Sequence, residues 1–342
     1  MSETRNLVAL LRERQGVSQL DFAAWLNKHL GRRYDKHQIS RWESEREHLP
    51  RNLMEFLMAQ WNESGNESGN ELDDRPRRAT IIAFAMQKGG VGKTTAAVNV
   101  AYALRDDQAR VLLIDADSQS NASIYVGLTP NDILRFEAEQ ATLYHALLKE
   151  KPLAGMVQKT QVPRLDLVPS SISLANADVE LATNPLAGGI ESLKKCLAVV
   201  RNRYDFIIID CAPNLGFITL AALTAAHLVM IPVETEPLAL MGMGQLLLTV
   251  DSIQRRANPD LSVLGVLPTK FKARLTQDQA SLTEMRATAR GIRVFSPVPH
   301  STLYPQSAGA GRITLSVGDV PGRAAFFEVA AAARAAAITL QG

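Results

Sequence analysis

Two lysines flank a cluster of glycines in the segment MQKGGVGKTT, residues 86–95. Glycines let the backbone come close to an anion, and Lys93, which follows them, can reach phosphate oxygens. The hydroxyl of Thr94 can coordinate Mg²⁺. The standard phosphate-loop pattern would require glycine at position 87, where this chain has Gln87, and most such loops carry no charge at the position of Lys88. The segment therefore predicts a phosphate site with one additional cation.

The predicted nucleotide-binding set is this loop together with the start of the helix that follows it. Its backbone N–H groups can point at phosphates, and a helix N-terminus favours negative charge. The members of the set are Lys88, Gly89, Gly90, Val91, Gly92, Lys93, Thr94 and Thr95. A glycine-rich turn with an incidental Lys-Thr pair is the alternative, and the strand-like run before the loop and the helix-like run after it disfavour that alternative.

Carboxylates follow two apolar runs further along the chain. RVLLID ends at Asp115 and is followed closely by Asp117, and YDFIIID ends at Asp210. In a doubly wound sheet, ligands bind beyond the carboxyl ends of the strands, so these aspartates are predicted beside the phosphates. One such aspartate could merely cap the next helix, but three of them favour metal and water handling. Asp210 is expected to hold Mg²⁺ through water.

The elements that position these residues alternate short apolar runs with helical patterns. The predicted strands are TIIAFAM, RVLLID, YDFIIID, HLVMIPV, LSVLGVLPT and IRVFSPV. Their continuous β-branched character is typical of strands buried on both faces of a parallel sheet. The predicted helices cover residues 94–104, 237–256, 276–289 and 323–337. The pattern therefore predicts a doubly wound α/β domain with a mostly parallel sheet.

Composition changes sharply after Trp61. The run NESGNESGNELDDRPR has almost no apolar residues to bury, so residues 62–78 are predicted to form a flexible, solvated linker. This linker separates a small head, residues 1–61, from a body, residues 79–342, which is large enough for one α/β domain. Head and body are therefore predicted to fold separately.

Charge and cysteine usage limit the class of protein. A net charge of only +2 over 342 residues means that any nucleic-acid surface must be local. Cys196 and Cys211 form no C-x-x-C pair, which predicts a reducing compartment and no structural disulfide. No run approaches the roughly 18 apolar residues of a membrane span. We expect a soluble, cytoplasmic protein with no membrane partner.

Three segments of the body, KGGVGKTT, VLLIDADSQSNAS and FIIIDCAPNLG, resemble the deviant Walker motifs of the ParA/MinD ATPases, most closely the ParA partition proteins. The resemblance covers nearly all of residues 79–342. It implies a P-loop NTPase fold, ATP and Mg²⁺ as cofactors, and Mg²⁺-dependent ATP hydrolysis to ADP and phosphate. Ser118 and Ser120 stand where the family usually has proline and glycine. This departure can alter the hydrolysis rate but leaves the motif identifiable.

The resemblance also implies roles for individual residues. Lys88 is similar to the signature lysine that crosses a dimer interface to contact the phosphates of the ATP held by the other subunit. Asp117 matches the residue that positions the attacking water, and Asp115 matches its Mg²⁺-linked neighbour. The expected catalytic residues are thus Lys88, Lys93 and Asp117, and the expected metal ligands are Thr94, Asp115 and Asp210.

Two segments of the head, VSQLDFAAWLN and YDKHQISRWE, resemble the helix-turn-helix of the Cro/repressor-like family, a small all-α domain. Ser18 and Asp21 predict a capping box at the start of the first helix, and residues 35–43 match the recognition helix. KHLGRR lengthens the turn between them. The expected DNA contacts are Gln19, Arg32, Arg33, Lys36, His37, Gln38, Ser40 and Arg41. A small helical interaction module with a solvated basic face is the alternative.

The resemblance as a whole implies a plasmid- or chromosome-partition ATPase. Such a protein forms a homodimer on ATP, binds DNA non-specifically through its body, associates with the nucleoid, and is stimulated by a ParB-like centromere-binding partner. Lys270, Lys272 and Arg274 are the expected DNA contacts of the body. The head would read specific DNA and repress the protein's own operon. A transcriptional regulator that uses ATP only as a ligand is the alternative.

Overall fold

The protein is described by a computed structural model over most of its length. The described positions are 8, 12, 17–43, 47, 50, 53, 57, 78–105, 109–149, 151–183, 189–236, 239–289 and 291–341. Contacts within the chain divide it into two compact units, residues 1–75 and 76–342. Apart from Arg78, the predicted linker lies outside the described residues, so the boundaries of head, linker and body stay a prediction.

Two helices form the described centre of the first unit. Helix α1, Gln19–Leu30, begins after Ser18, whose hydroxyl accepts a hydrogen bond from the N–H of Asp21 at 3.2 Å. Helix α2 spans Lys36–Glu43. The side chains that these helices bury together are Phe22, Ala23, Leu26, Ile39 and Trp42. Both predicted helices are present, and their assignment to a helix-turn-helix stays a prediction.

The second unit alternates strands and helices along the chain. The strands are β1 Thr80–Phe84, β2 Val111–Ala116, β3 Gln158–Lys159, β4 Leu165–Val168, β5 Phe206–Cys211, β6 Leu228–Glu234 and β7 Ser262–Thr269. The helices are α3 Lys93–Leu104, α4 Asn121–Tyr125, α5 Pro130–Ala138, α6 Leu143–Leu148, α7 Leu174–Thr183, α8 Ser192–Ala198, α9 Phe217–Ala225, α10 Ala239–Arg256, α11 Thr276–Thr288, α12 Leu303–Gly309 and α13 Arg323–Gln341. Short 3-10 helices lie at Leu153–Met156, Gly189–Glu191, Arg201–Arg203 and Thr314–Ser316.

The seven strands form one sheet in the order β3-β4-β2-β5-β1-β6-β7. β3 is antiparallel to β4, and every other neighbouring pair is parallel. Along β1, Ile81 and Ala83 join the apolar cluster that contains α9 and α10, while Ile82 and Phe84 join the cluster that contains α3 and α13. Helices therefore cover both faces, and the predicted doubly wound, mostly parallel sheet is confirmed.

One predicted strand is wrong, and several elements were not predicted. IRVFSPV, residues 292–298, forms no strand, since only isolated bridges join Val294 and Pro299 to β7 and the residues that follow it. Pro297 and Pro299 have no N–H to donate, which interrupts a ladder. The region of residues 121–198 holds β3, β4 and the helices α4 to α8, whose short runs give no clear period. Both cysteines are free thiols.

Gly265 in β7 allows the segment that contains Arg293 and Phe295 to pack closely against this strand. The register of β6 against β7 shifts between Val229 and Met230, opposite Gly265. A Cβ on Gly265 would lie 2.5 Å from the ring of Phe295 and 2.6 Å from the carbonyl oxygen of Arg293. That carbonyl accepts a 2.8 Å hydrogen bond from β7, so it is not free to move away.

We predict that Gly265→Ala destabilises the protein by about 1–3 kcal/mol, because the backbone must shift to admit the methyl group. Gly244→Ala is the control. A Cβ there meets nothing within 4 Å, and the position lies inside α10, so alanine should stabilise the protein by about 0.5–1 kcal/mol. Urea denaturation followed by circular dichroism measures both changes. Equal stability of the two variants would contradict the prediction.

Candidate nucleotide-binding site

The loop between β1 and α3 carries the glycines that were predicted to hold phosphate. Gly90 and Gly92 have φ values of 75° and 85°, a backbone conformation that other residues rarely adopt. Thr269, the last residue of β7, donates a hydrogen bond from its hydroxyl to the carbonyl of Val91 at 2.7 Å. Helix α3 begins at Lys93, and its first N–H groups have no partner within the helix. The loop and helix start together form an anion cradle.

The side chain of Lys93 turns back over this loop. Its ammonium donates a hydrogen bond to the carbonyl of Lys88 at 2.9 Å, and only 6% of the residue is exposed. Burial lowers the pKa of Lys93, and the nearby charge of Asp210 opposes that shift. A buried ammonium held by a single carbonyl keeps further hydrogen-bond donors for a phosphate oxygen.

Asp210 is a fully buried carboxylate near the carboxyl end of β5. Its register partner on β2 is Asp115, and neither of its oxygens has a hydrogen-bond partner in the described part of the chain. Burial raises the pKa of Asp210 well above its usual range, and the charge of Asp115 raises it further, while the nearby hydroxyl of Thr94 and the charge of Lys93 oppose the shift. Such a carboxylate destabilises the protein unless a cation or a donor compensates it. The arrangement therefore fits a hard cation such as Mg²⁺.

The two aspartates that follow β2 differ in their surroundings. Asp115 is fully buried, and one of its oxygens accepts hydrogen bonds from the N–H and the hydroxyl of Ser123 at 2.8 and 2.7 Å. Its other oxygen accepts from the N–H of Asp117 at 3.2 Å. Burial raises the pKa of Asp115 to about 6. Asp117 lines the pocket, and one of its oxygens accepts from the N–H of Gln119 at 3.0 Å. Asp115 thus anchors the segment that presents Asp117.

Lys88, the additional lysine, is paired with a glutamate of the same chain. Its ammonium forms an ion pair with Glu236, which lies just beyond the end of β6, and both side chains are nearly half exposed. Lys270 forms a second ion pair with Glu234 at 3.4 Å. Ion pairs of this exposure contribute little to stability. Lys88 can therefore leave Glu236 at a small cost in free energy.

An open pocket of about 780 Å³ lies beside the loop. One wall consists of Gly89, Gly90, residues 92–96 and Asp117, and the opposite wall consists of residues between 298 and 309. Sequence reasoning missed this opposite wall because it carries no phosphate-type pattern. The one available signal was the polar run His300-Ser301-Thr302 directly after a strand-like segment.

A buried asparagine, also missed from the sequence, joins α3 to a segment near the opposite wall. Asn99 has no exposed surface and donates a hydrogen bond to the carbonyl of Thr95 at 2.8 Å. Its side-chain oxygen accepts from the N–H of Leu315 at 3.0 Å. Because Thr95 lines the pocket, Asn99 fixes the helix that carries the phosphate loop against the C-terminal part of the chain.

The residues predicted to contact DNA through the head lie mainly on the surface. The exposed positions are Arg32, Arg33, Lys36, His37, Ser40 and Arg41, whereas Gln19 is half-buried. The half-buried Gln38 has a second role, since its side-chain oxygen accepts from the N–H of Asp35 at 3.1 Å and its N–H donates to Asp35 at 2.8 Å. This reciprocal pair caps α2. The amide of Gln19 donates to Glu43 at 2.6 Å. The DNA contacts of the head stay a prediction.

The three residues predicted to contact DNA through the body do not share one environment. Lys272 and Arg274 are exposed beyond β7, whereas Lys270 lines the nucleotide pocket and is paired with Glu234. Lys270 also has a φ of 53°, which is uncommon for a residue with a side chain. No helix among the described residues is long and apolar enough to cross a membrane. The DNA contacts of the body likewise stay a prediction.

A central parallel strand, a glycine loop, a helix and acidic residues at neighbouring strand ends together define a P-loop nucleotide-binding protein. A family profile described as an AAA domain matches residues 79–263. The sporulation initiation inhibitor protein Soj of Bacillus subtilis is 37% identical over 232 residues, which cover 68% of this chain and 88% of Soj. The chromosome partitioning protein ParA of Myxococcus xanthus is 39% identical over 206 residues, covering 60% of this chain and 70% of that protein.

A solved structure of a nucleotide-binding enzyme has a similar fold. Cobyrinic acid a,c-diamide synthase from Mycobacterium smegmatis, with a bound ATP analogue and magnesium, has a TM-score of 0.62 and 32% identity to this chain. The match covers 74% of this chain and 93% of that one. The chain belongs to the ParA/MinD-type P-loop ATPases.

The unpartnered carboxylate of Asp210 generates a prediction about stability. Asp210 and Asp115 have pKa values in the folded state above the ordinary value of 3.8, so the folded state binds more protons than the unfolded state. Their contribution to stability is therefore present at low pH and is lost as the pH rises through the folded values, about 6 for Asp115. Asp210→Asn should stabilise the nucleotide-free protein more at about pH 8 than at about pH 5.

Asp132→Asn is the control, because the pKa of Asp132 is shifted in the opposite direction. Hydrogen bonds from Thr129 lower the pKa of Asp132, so its contribution to stability is present at high pH and is lost as the pH falls. This variant should therefore lose stability at about pH 8. Urea denaturation of both variants at the two pH values measures these changes. A gain for Asp210→Asn that did not depend on pH would show that its carboxylate is compensated.

Proposed function

We propose that the protein is an ATPase of DNA partition that dimerises on ATP, binds DNA and releases it after hydrolysis. The observation that carries the proposal is the meeting, at one edge of the sheet, of the glycine loop, the buried Lys93 and the unpartnered carboxylate of Asp210. The chromosome partitioning protein ParA among the relatives supports partition as the process. The measured test is ATP turnover with and without DNA.

ATP and Mg²⁺ fit the residues of this edge. Bound ATP supplies the phosphoryl group that is transferred to water. In the proposed arrangement the loop N–H groups and Lys93 bind phosphate oxygens, while Thr94 and Asp210 hold Mg²⁺. The described residues contain no group of three or more His, Cys, Asp or Glu that could hold a metal ion. The ATP analogue and magnesium bound to the mycobacterial relative support the pairing of ATP with Mg²⁺ here.

Asp117 is proposed to orient the attacking water. It is 8% exposed at the pocket, and one of its oxygens is fixed by the N–H of Gln119, which leaves the other oxygen for water. Asp115 would then be a positioning residue as well as a neighbour of the metal, because it holds the N–H of Asp117. Lys93 would offset the negative charge of the phosphates during transfer.

Lys88 is proposed to act in the homodimer. In this single chain its ammonium is paired with Glu236 and is nearly half exposed. Leaving that partner would allow it to reach the phosphates held by the second subunit, where a positive charge supplied in trans stabilises the transferring group. ATP would then link two subunits through Lys88.

The DNA and partner activities complete the proposal. The head, through α2, would bind specific DNA and repress the protein's own operon. The ATP-bound body would bind DNA non-specifically, place the protein on the nucleoid, and be released by a ParB-like centromere-binding partner. A transcriptional regulator that uses ATP only as a ligand differs in one measurement, since it would show no ATP turnover when DNA and partner are both present.

We predict that Lys93→Ala abolishes ATP binding, because the loop loses its buried phosphate-directed charge. Asp117→Ala should retain ATP binding and dimerise, yet hydrolyse ATP about 100-fold more slowly or worse, since the water is no longer oriented. Phosphate release and fluorescent-nucleotide binding measure the two effects separately. If Asp117→Ala hydrolysed ATP as fast as the parent protein, Asp117 would not be a catalytic residue.

We predict that Lys88→Gln weakens ATP-dependent dimerisation while leaving nucleotide binding by a single subunit measurable. The reason is that its charge is needed across the interface and not within one pocket. Lys149→Gln is a charge-matched control, because Lys149 is also about half exposed and paired with a glutamate, Glu180. Sedimentation velocity with and without ATP measures the association. If Lys88→Gln dimerised with ATP like the parent protein, Lys88 would not act across the dimer interface.

A further inference from the structure

The segment that joins β5 to α9, residues 212–216, runs beside the nucleotide pocket. We call this segment the β5–α9 loop. Pro213 in the loop lines the pocket. A Cβ placed on Gly89, in the phosphate loop, would lie 4.0 Å from the Cβ of Pro213, which is ordinary van der Waals distance. The position of the β5–α9 loop therefore affects the shape of the phosphate site.

A carboxylate from a different helix holds the β5–α9 loop. Asp178, on α7, accepts a hydrogen bond from the N–H of Ile218 at 2.9 Å with one of its oxygens. Its other oxygen accepts from the side-chain amide of Asn214 at 3.3 Å. The carbonyl of Asn214 accepts from the hydroxyl of Thr219 at 2.8 Å. Asp178 thus ties both the loop and the first turn of α9 to α7.

Gly216 shows how closely this carboxylate fits against the loop. The φ of Gly216 is −71°, which any residue can adopt, so the backbone conformation does not require glycine. A Cβ at this position would lie 2.2 Å from Oδ2 of Asp178, and the three atoms nearest to it all belong to Asp178. Gly216 also has no side chain to cap α9. Asp178 supplies the missing acceptor and a negative charge at this helix N-terminus.

Packing between α7 and α9 rests on apolar side chains. The two helices are in contact, and Leu174 and Ala177 of α7 belong to the same apolar cluster as Ala221 and Ala222 of α9. The hydrogen bonds of Asp178 go instead to the loop and to the start of α9. Loss of this carboxylate should therefore change the position of the loop more than the packing of the two helices.

The start of α7 is tied to a second segment of the site. The N–H of Ser170 donates a hydrogen bond to the hydroxyl of Ser123 at 3.3 Å, and that hydroxyl donates to Asp115 at 2.7 Å. The carbonyl of Ser171 accepts from the N–H of Leu174, the first residue of α7, at 3.0 Å. Hydrogen bonds therefore connect α7 both to the segment that follows β2 and to the loop that follows β5.

We propose that Asp178 is a positioning residue of the nucleotide site, which holds the β5–α9 loop against the phosphate loop. Asp178 lies outside the described lining of the pocket, so it acts through the loop. Without its carboxylate the loop is free to shift, and Pro213 moves relative to Gly89. The inference rests on the proposed function for ATP turnover, whereas nucleotide affinity tests it separately.

The experiment measures two properties of the full chain. The first is affinity for a fluorescent ATP analogue with Mg²⁺, and the second is hydrogen–deuterium exchange of residues 212–220 without nucleotide. The variants are Asp178→Ala, Gly216→Ala and their combination, together with Asp178→Asn, which keeps the size of the side chain and one acceptor oxygen. Asp205→Ala is the matched control, because Asp205 is also half-buried and accepts from the N–H of Arg110 at 2.7 Å, at the opposite edge of the sheet.

Asp178→Ala should bind the analogue about tenfold more weakly and exchange residues 212–220 faster, because the loop is no longer held. Asp178→Asn should have an intermediate affinity. Gly216→Ala should weaken binding as much as Asp178→Ala does, because its methyl group displaces the carboxylate. The double variant should bind no more weakly than either single variant, since both changes remove the same contact. The control should match the parent protein in both measurements.

Parental affinity of Asp178→Ala would overturn the inference even if its loop exchanged faster. Where that variant does not fold, parental affinity of Asp178→Asn has the same consequence. Additive losses in the double variant would also overturn it, and so would an equal loss of affinity in Asp205→Ala, which would indicate general destabilisation. A parent protein that bound the analogue but hydrolysed no ATP would overturn the proposed ATPase activity, and the measured affinities would still decide the role of Asp178.

Discussion

The buried carboxyl group of Asp210 is the constraint on which the arrangement of the second unit depends. Its oxygens have no hydrogen-bond partner among the residues that the structure describes, and when ionised such a buried group destabilises a folded chain unless a cation compensates it. The chain places Lys93 nearby and leaves the remaining compensation to a ligand. Since β1 pairs with β5, the last residue of β1, Phe84, is the register partner of Asp210. The glycine loop therefore begins beside this charge.

The two edges of the sheet have opposite chemistry. The carboxyl edge collects Asp115, Asp117 and Asp210 around the phosphate loop, and the amino edge collects arginines and lysines. Parallel strands make this separation possible, because every strand begins at one edge and ends at the other. A strand of six residues places the two edges about 20 Å apart. The carboxylates of the nucleotide site are therefore separated from the basic residues that precede the strands.

Most of the sheet could be predicted from the sequence because its strands are short, apolar and β-branched, as in YDFIIID. The failures have local causes. Residues 292–298 show the same apolar character as a strand, but Pro297 and the close packing at Gly265 restrict them to isolated bridges. The region of residues 121–198 was not predicted, because elements such as β3, with two residues, are too short to show a period. The position of β3 depends on its pairing with β4, which is a tertiary contact.

For the site, the sequence by itself determined the phosphate loop, its lysines and the aspartates at the strand ends, because those residue types and spacings are dictated by phosphate and metal chemistry. Only the tertiary structure decided how residues of the same type differ in environment. Asp115 accepts hydrogen bonds from Ser123, whereas the oxygens of Asp210 have no hydrogen-bond partner in the described part of the chain. It also brought residues between 298 and 309 across from the loop. Hydrogen-bond partners and burial arise from strand order and helix packing, which join residues that are distant along the chain. Local sequence patterns carry no record of such contacts.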